Sequence, residues 1–357
     1  MADIVHLQTT GPHSRAPAYQ NGTQRRAALG GRVARRRRAP ADVCGRKENA
    51  ELLNIFECTG TGPGAAGLEP LAAFYAGVEE RIRFFPQYYR FLLSICLDLE
   101  DLGMPGGKGA ALAHWVRKEG LAEAELSDLQ RAEAERLLAR RGAGLGAGCA
   151  LRGRLMRFIS RPDTFALPNK KAAYELTHIV FYLSEYGRRD PGLGPAALTS
   201  LEFAGILAFL EQNSDLLAEV CIAMRQAGKL PPAQWEDWLE RQAHQFVLQP
   251  GSGRCDAYHD YFVCNWLMAA AGRESFVQPV PDGPAEVVCG GPRAGVLGAL
   301  SRHLFGLGRR RSGDWHAMRP GLEDALGEAG AALLAAASAS PSFERFFEGF
   351  ARAGAAA

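Results

Sequence analysis

Apolar residues recur every three or four positions along most of the chain, with polar residues between them. This spacing gives a helix one apolar face, and no stretch shows the sustained alternation of a half-buried strand. Gly and Pro clusters separate the periodic segments and mark loops. Helices are therefore predicted near residues 47–58, 68–83, 85–102, 108–119, 122–141, 147–160, 168–187, 196–212, 214–227, 232–248, 254–271, 293–305, 314–327, 329–338 and 341–353.

The composition favours the same fold class, because Ala, Leu, Arg and Glu are abundant while Val, Ile and Thr are sparse. The predicted class is all-α, as a multi-helix bundle or a layered, toroid-like α/α array. No fixed-period repeat is visible, which disfavours a solenoid. We expect one helical domain over residues 48–355, with at most a short hairpin of sheet.

The first 47 residues lack this periodicity, are rich in Arg and Gly, and contain the run 35–38 of four arginines. This composition predicts a disordered basic tail over residues 1–47. Such a run can contact an acidic partner, a nucleic acid or an anionic membrane, or it can simply be solvated. The net charge of +2 thus combines a basic tail with a mildly acidic body.

Motifs that are absent from the sequence help to predict the cellular compartment and exclude several classes of function. The eight cysteines form no Cys-x-x-Cys unit and follow no signal peptide, which predicts a reduced, cytoplasmic location. The longest apolar runs are too short to span a bilayer. Phosphate-loop, dinucleotide-binding and serine-hydrolase motifs are also missing from the sequence.

Two acid-x-x-His units carry the clearest suggestion of chemistry. Glu175 precedes His178 by three residues in AAYELTHIVFYLSEYG, and Asp256 precedes His259 by three in CDAYHDYFVCNWLMAAA. On a helix, residues three apart share a face, so each unit can aim a carboxylate and an imidazole at one point. Two such units supply half of the ligands of a dinuclear iron or manganese site in a helical bundle.

Side chains near these units extend the candidate site. Tyr182 and Glu185 continue the polar stripe that begins with Glu175 and His178. Around His259, the nearby Tyr258 and Cys255 are candidates, together with Tyr182, for a redox or proton-transfer group. Since Cys, His and Asp can share one helical face there, zinc is a further possibility.

Two more helices would have to supply the remaining carboxylates of a dinuclear site. Glu202 lies among apolar residues, and Asp98 and Asp101 share a helical face, so these three are predicted as further ligands. The leading hypothesis is a metal-binding oxidoreductase, with iron or manganese, that acts on a small organic or peptide substrate.

Interpretations without metal stay open. Each acid–His pair can belong to an ordinary buried network, and Asp256 can serve the first turn of its helix. The competing function is a non-catalytic helical interaction protein whose basic tail binds an acidic partner.

The segment RFFPQYYRFLLSICLDLEDLG resembles the aspartate-rich segment of helical terpene synthases, where aromatic residues line a cavity beside acids that bind magnesium and diphosphate. Asp98, Glu100 and Asp101 are the acids here, and Asn213-Ser214-Asp215 with Glu219 loosely resembles the second metal motif. The spacing departs from that family, since neither segment has its required ladder of ligands.

The segments KENAELLNIFECTG and RFFPQYYRFLLSICLDLEDLGMPG resemble an uncharacterised all-helical family from alphaproteobacteria, a domain of unknown function. The resemblance covers most of the chain after about residue 45. It implies a soluble helical protein of bacterial origin and transfers no catalytic residues.

Overall fold

Helices dominate the structure, which confirms the predicted all-α class. The computed structural model describes residues 21–35, 43–144, 146, 148–251, 256–290 and 295–353. Its helices are α1 (Gly22–Arg35), α2 (Val43–Thr59), α3 (Gly64–Leu68), α4 (Ala72–Ala76), α5 (Val78–Phe84), α6 (Tyr89–Asp101), α7 (Lys108–Lys118), α8 (Asp128–Ala139), α9 (Gly148–Ile159), α10 (Pro162–Phe165), α11 (Lys170–Leu183), α12 (Pro195–Glu211), α13 (Ser214–Gln226), α14 (Ala233–Gln245), α15 (Tyr258–Ala270), α16 (Leu297–Leu307), α17 (Trp315–Ser338) and α18 (Phe343–Ala351).

One small sheet accompanies the helices within the described residues. Strand β1 (Phe246–Pro250) pairs antiparallel with β2 (Ala285–Cys289), with Phe246 opposite Cys289 and Pro250 opposite Ala285. Helix α15 lies between the two strands in the chain. The pairing therefore clamps both ends of the segment that carries α15.

Apolar side chains form two separate cores. The smaller core gathers side chains of α5, α6, α7 and α8, whereas the larger one gathers those of α11 to α18 with parts of α1 and α2. Helix α2 packs on both α6 and α15, and α8 packs on both α6 and α11. The junction of these helices is where the two cores meet. Whether the chain forms a single domain stays a prediction.

Helix α13 lies at the centre of the larger core. It packs against α11, α12, α14 and α15, and every residue from Ser214 to Met224 is buried. A helix buried on all sides is normally apolar all round. Its two acids, Asp215 and Glu219, are therefore exceptional and need partners on the neighbouring helices.

Within the first 47 residues, predicted as a disordered tail, the structure describes one helix. Residues 22–35 form α1, in which Leu29 and Val33 are each 2 % exposed. These two residues are four apart, so they share the face that packs on the body. Arg32 donates to the carbonyl oxygen of Gly283 at 2.7 Å, and Arg25 forms an ion pair with Glu274. The three arginines at 36–38 and residues 1–20 lie outside the described residues.

Two helix ends differ from their predicted positions in ways that affect the site. Helix α11 ends at Leu183, since Glu185 and Tyr186 adopt positive φ angles of 50° and 56°. Helix α15 begins only at Tyr258, so Asp256 precedes it. Among the helices described, none is long and apolar enough to cross a membrane.

Candidate metal centre

The two acids of α13 form the floor of the site. Asp215 and Glu219 are four residues apart, so they lie on one face of the helix. Their exposed fractions are 9 % and 3 %. The side chain of Asn213 accepts a hydrogen bond from the backbone N–H of Leu216 and begins the helix just before Asp215. Two buried carboxylates this close need a compensating positive charge.

His259, in the first turn of α15, supplies that charge. Its Nε2 lies 3.2 Å from Asp215 Oδ1, and its Nδ1 donates to Glu51 Oε2 of α2 at 3.0 Å. Burial alone lowers the pKa of His259, but the two carboxylates outweigh it and raise that pKa from 6.5 to about 11. Without another cation, His259 is an imidazolium between two carboxylates.

Helix α11 closes the other side of the site with three polar side chains. The Tyr174 hydroxyl donates to Asp215 Oδ2 at 2.6 Å, and the Thr177 hydroxyl donates to Glu219 Oε2 at 2.5 Å. His178 Nδ1 lies 2.8 Å from the Tyr174 carbonyl oxygen and 3.6 Å from Glu219 Oε2. Because a carbonyl oxygen only accepts, His178 Nδ1 donates this hydrogen bond, and the bond does not use Nε2.

The two acids of α13 have opposite protonation tendencies. Burial raises the pKa of Asp215, yet the contact with His259 outweighs it and holds that pKa below its ordinary value. Burial raises the pKa of Glu219 above its ordinary value. Asp215 is thus the acid of the pair that stays ionised. Glu219 is the acid whose ionised form a second cation would stabilise most.

The geometry suits a metal ion. One ligand atom each from Asp215, Glu219 and His259 can be chosen so that all lie within 4.8 Å of one another, and no other such group occurs among the described residues. Asp215 Oδ1 is buried and pairs with His259 Nε2 at 3.2 Å without a well-aligned hydrogen bond. A metal ion in place of the histidine proton would compensate the same carboxylate charge.

Two cavities adjoin the cluster. A cavity of about 110 Å³ is lined by both histidines, Glu51 and Glu219. A larger cavity of about 320 Å³ lies on the α6 and α8 side and shares His178 and Glu51 with the first. A small molecule in either cavity would therefore meet His178.

The structure brings together the two predicted histidines but gives them different carboxylates. His178 and His259 line the same cavity, whereas Glu175 is half-buried and forms no hydrogen bond or ion pair within the described part of the chain. Asp256 accepts a hydrogen bond from the backbone N–H of Val287 at 2.8 Å. Because Asp256 precedes α15, the three-residue spacing does not align it with His259.

The aromatic and sulfur candidates lie at different distances from the cluster. Tyr182 is buried in the larger cavity, with its ring centroid 6.1 Å from that of His178. The Tyr258 ring packs edge-on beside His259, with centroids 6.2 Å apart. Glu185 follows the end of α11 and pairs with Arg189 instead. Cys255 lies outside the described residues.

The remaining predicted ligands are engaged elsewhere. Glu202 accepts hydrogen bonds from the backbone and hydroxyl of Ser342 and so anchors the start of α18. Asp98 and Asp101 form ion pairs with Arg140, and Asp101 also pairs with Arg141. The aspartate-rich segment that resembles a terpene synthase is therefore neutralised by arginines rather than open to magnesium.

Asp215, Glu219 and Glu51 were not among the ligands proposed from the acid-x-x-His spacing. Asp215 and Glu219 appeared there only as the second segment of the terpene-synthase resemblance. Their signal is a pair of acids four apart on a helix that is otherwise apolar. Glu51 has no local signal, because it reaches His259 across 208 residues of chain.

Fold and cluster together define an all-α protein with a buried carboxylate–histidine site at the junction of α2, α11, α13 and α15. The chain belongs to the family described as domain of unknown function DUF6902, whose model matches residues 1–353. The expected membership of an uncharacterised family is thereby confirmed, while an alphaproteobacterial origin stays a prediction. No curated protein and no solved structure matches the chain.

Proposed function

We propose that this protein is a metal-dependent enzyme whose ion is held by Asp215, Glu219 and His259. The observation that supports it most is the convergence of these three ligand atoms in the interior, around a buried carboxylate oxygen that pairs with His259. A metal ion would take the place of the proton that His259 Nε2 otherwise holds.

The donor set narrows the identity of the ion. Two carboxylates and one imidazole suit iron, manganese or zinc better than magnesium or copper(I). Glu51 would then bond to the outer nitrogen of His259, which is the usual carboxylate support of a metal-bound histidine. Tyr174 and Thr177 would hold the ligating carboxylates in place by their hydroxyl groups.

The proposed reaction class is oxidation of a small organic substrate, because iron or manganese supplies electron-transfer and dioxygen chemistry when bound. His178 is the candidate proton carrier, since its Nε2 is not used by the Tyr174 carbonyl bond and its ring lines both cavities. The support favours one ion over the dinuclear site expected from the sequence, because a single three-ligand group is found among the described residues.

The test is the metal content of protein expressed with iron, manganese and zinc and measured by mass spectrometry. We expect about one ion per chain, and loss of that ion from the folded variants Asp215→Asn and His259→Gln. The matched control is His316→Gln, since His316 forms a similar contact with Glu344 at 3.0 Å on the surface. Wild-type protein that holds no ion under any of these conditions would refute the proposal.

The competing hypothesis, a non-catalytic interaction protein with a basic tail, retains less support. Arg25 and Arg32 already contact the body of the protein through Glu274, Asp282 and Gly283. The arginines at 36–38 remain its candidate contacts. Binding to an acidic partner that survives Asp215→Asn but is lost when 36–38 are changed to Gln would favour this alternative.

A further inference from the structure

The larger cavity, of about 320 Å³, is lined by residues of α2, α6, α8 and α11 and has charged and aromatic walls. Its size falls at the lower end of the range typical of small-molecule sites. His178 and Glu51 line this cavity and also the cavity beside the Asp215, Glu219 and His259 cluster, so the two cavities share a wall. A ligand held here would be next to the proposed reaction centre.

Arg136 of α8 is the unusual residue of this cavity. It is only 6 % exposed, its Nε is buried without a hydrogen-bond acceptor, and its guanidinium forms no hydrogen bond or ion pair with any described residue. It lies over the ring of Tyr186, 4.6 Å from the centroid, and more distantly over that of Tyr182. Ring contacts alone are weak compensation for burying a full charge.

The acids near Arg136 form ion pairs with other arginines. Asp98 accepts from Arg140, Glu57 pairs with Arg188, and Glu133 pairs with Arg90.

The other cations of the cavity are matched in the same way. Arg90 bonds to both Glu125 and Glu133, and Lys47 lies 3.3 Å from Glu51. Arg136 is therefore the one lining cation, within the described part of the chain, that has no carboxylate partner. A guanidinium presents a planar fork of N–H donors that matches a carboxylate.

We propose that this cavity binds a small organic carboxylate, with its carboxylate on Arg136, as the substrate of the neighbouring centre. The role as substrate rests on the proposed metal-dependent function, whereas the binding itself does not. Tyr88, Phe91, Tyr182 and Tyr186 offer flat apolar surfaces to the body of the ligand.

A carboxylate fits the charge of the cavity better than a phosphate ester does. Arg136 contributes a single uncompensated positive charge, and the walls also carry Glu51 and Glu133. A dianion would retain a net negative charge beside these acids, since Arg90 and Lys47 are already engaged. One monoanionic carboxylate neutralises Arg136 and leaves no excess.

The test compares acids with their uncharged amides by ¹⁹F NMR line broadening on the full chain. The probes are 4-fluorobenzoate and 4,4,4-trifluorobutanoate, each beside its amide, with 4-fluorophenyl phosphate as the dianion. We expect at least one acid to bind at least about tenfold more tightly than its amide, and the phosphate ester to bind more weakly than 4-fluorobenzoate.

Arg136→Gln should weaken binding of the acid at least about tenfold and leave the amide unchanged. Arg154→Gln is the matched control, since Arg154 of α9 pairs with Asp128 of α8 outside the cavity. Equal binding of acid and amide to wild-type protein, or no binding of any probe, would overturn the proposal, and this arm needs no variant to fold. Tighter binding of the phosphate ester would overturn the carboxylate assignment.

Metal content measured on the same samples separates the two proposals. Arg136-dependent binding of the acid to a protein that holds no metal would refute the enzyme proposal and keep the anion site. A stoichiometric metal with no preference of acid over amide would do the reverse. We expect the Arg136→Gln variant to keep its metal, because Arg136 contacts none of the three ligands.

Discussion

Two acidic regions of this protein, each with at least one buried carboxylate, differ in the groups that pair with their acids. On α6, Asp98 accepts from Arg140 at 2.8 Å, Asp101 accepts from Arg140 and Arg141, and Glu100 bonds to the Tyr75 hydroxyl and the Gly109 N–H. On α13, Asp215 and Glu219 face histidines and hydroxyl groups. The acids of the first region pair mainly with arginines, which are always charged. In the second region, Asp215 pairs with a histidine that is charged only while it is protonated.

This difference decides which region can bind a metal. Arginine stays charged and occupies carboxylate oxygens through several N–H donors, so the α6 acids cannot be released to a cation. Although burial raises it, the bonds from Arg140 and Arg141 hold the pKa of Asp101 below its ordinary value. A histidine can give up its proton and offer the same nitrogen to a metal. The identity of the partner, rather than the density of acids, is therefore the informative feature.

The largest effect is expected from replacing an acid of α6 that pairs with arginine. Asp98→Ala leaves Arg140 in a buried position with Asp101 as its remaining close partner, and we expect the free energy of unfolding to fall by about 3 kcal/mol. Denaturant unfolding of the metal-free protein measures this. Metal content should not change. Loss of the metal at unchanged stability would mean that the α6 acids serve the metal site after all.

A smaller effect should appear when the support of His259 is weakened. Glu51→Gln removes the carboxylate charge from Nδ1 while keeping an acceptor oxygen. We expect the metal affinity to fall about 10- to 100-fold, as for other carboxylates bonded to a metal-bound histidine. Competition with a chelator gives the affinity. Glu344→Gln changes the surface partner of His316 and should have no effect, so an equal loss in both variants would contradict the assignment.

The pH dependence of stability and of metal affinity should distinguish acids that pair with a histidine from acids that pair with arginines. The pKa of His259 is about 11 when folded against 6.5 as its ordinary value. Its contribution to the stability of the metal-free protein is full below pH 6.5 and is lost as the pH rises towards 11. Because an ion displaces this proton, metal affinity should rise about tenfold per pH unit between pH 7 and 9.

Calorimetry in buffers of different protonation enthalpy should then report at least one proton released for each ion bound. His316→Gln is again the control and should leave this number unchanged. A metal affinity that is independent of pH over this range would show that His259 does not exchange its proton for the ion.

The helical class could be predicted because it depends on local spacing, and so could the placement of His178 and His259 beside one cavity. Their partners could not, since helix boundaries and helix contacts decide them. The stripe from Glu175 to Glu185 assumes an unbroken helix, but α11 ends at Leu183. The α1 helix was not predicted, because its four arginines and three glycines interrupt the apolar spacing, while the apolar contacts of Leu29 and Val33 hold it on the body.

The smallest effect should come from Asp256, the acid that the sequence pairs with His259. Its carboxylate accepts from the Val287 N–H, next to the pairing of β1 and β2. Asp256→Ala should therefore lower the free energy of unfolding by about 1 kcal/mol, the usual net value of one hydrogen bond, and leave metal affinity unchanged. His259→Ala in the same acid-x-x-His unit should abolish metal binding. If both variants lost the metal equally, Asp256 would be a ligand. The type of partner that an acid has, arginine or backbone against histidine, would then not decide whether that acid binds the metal.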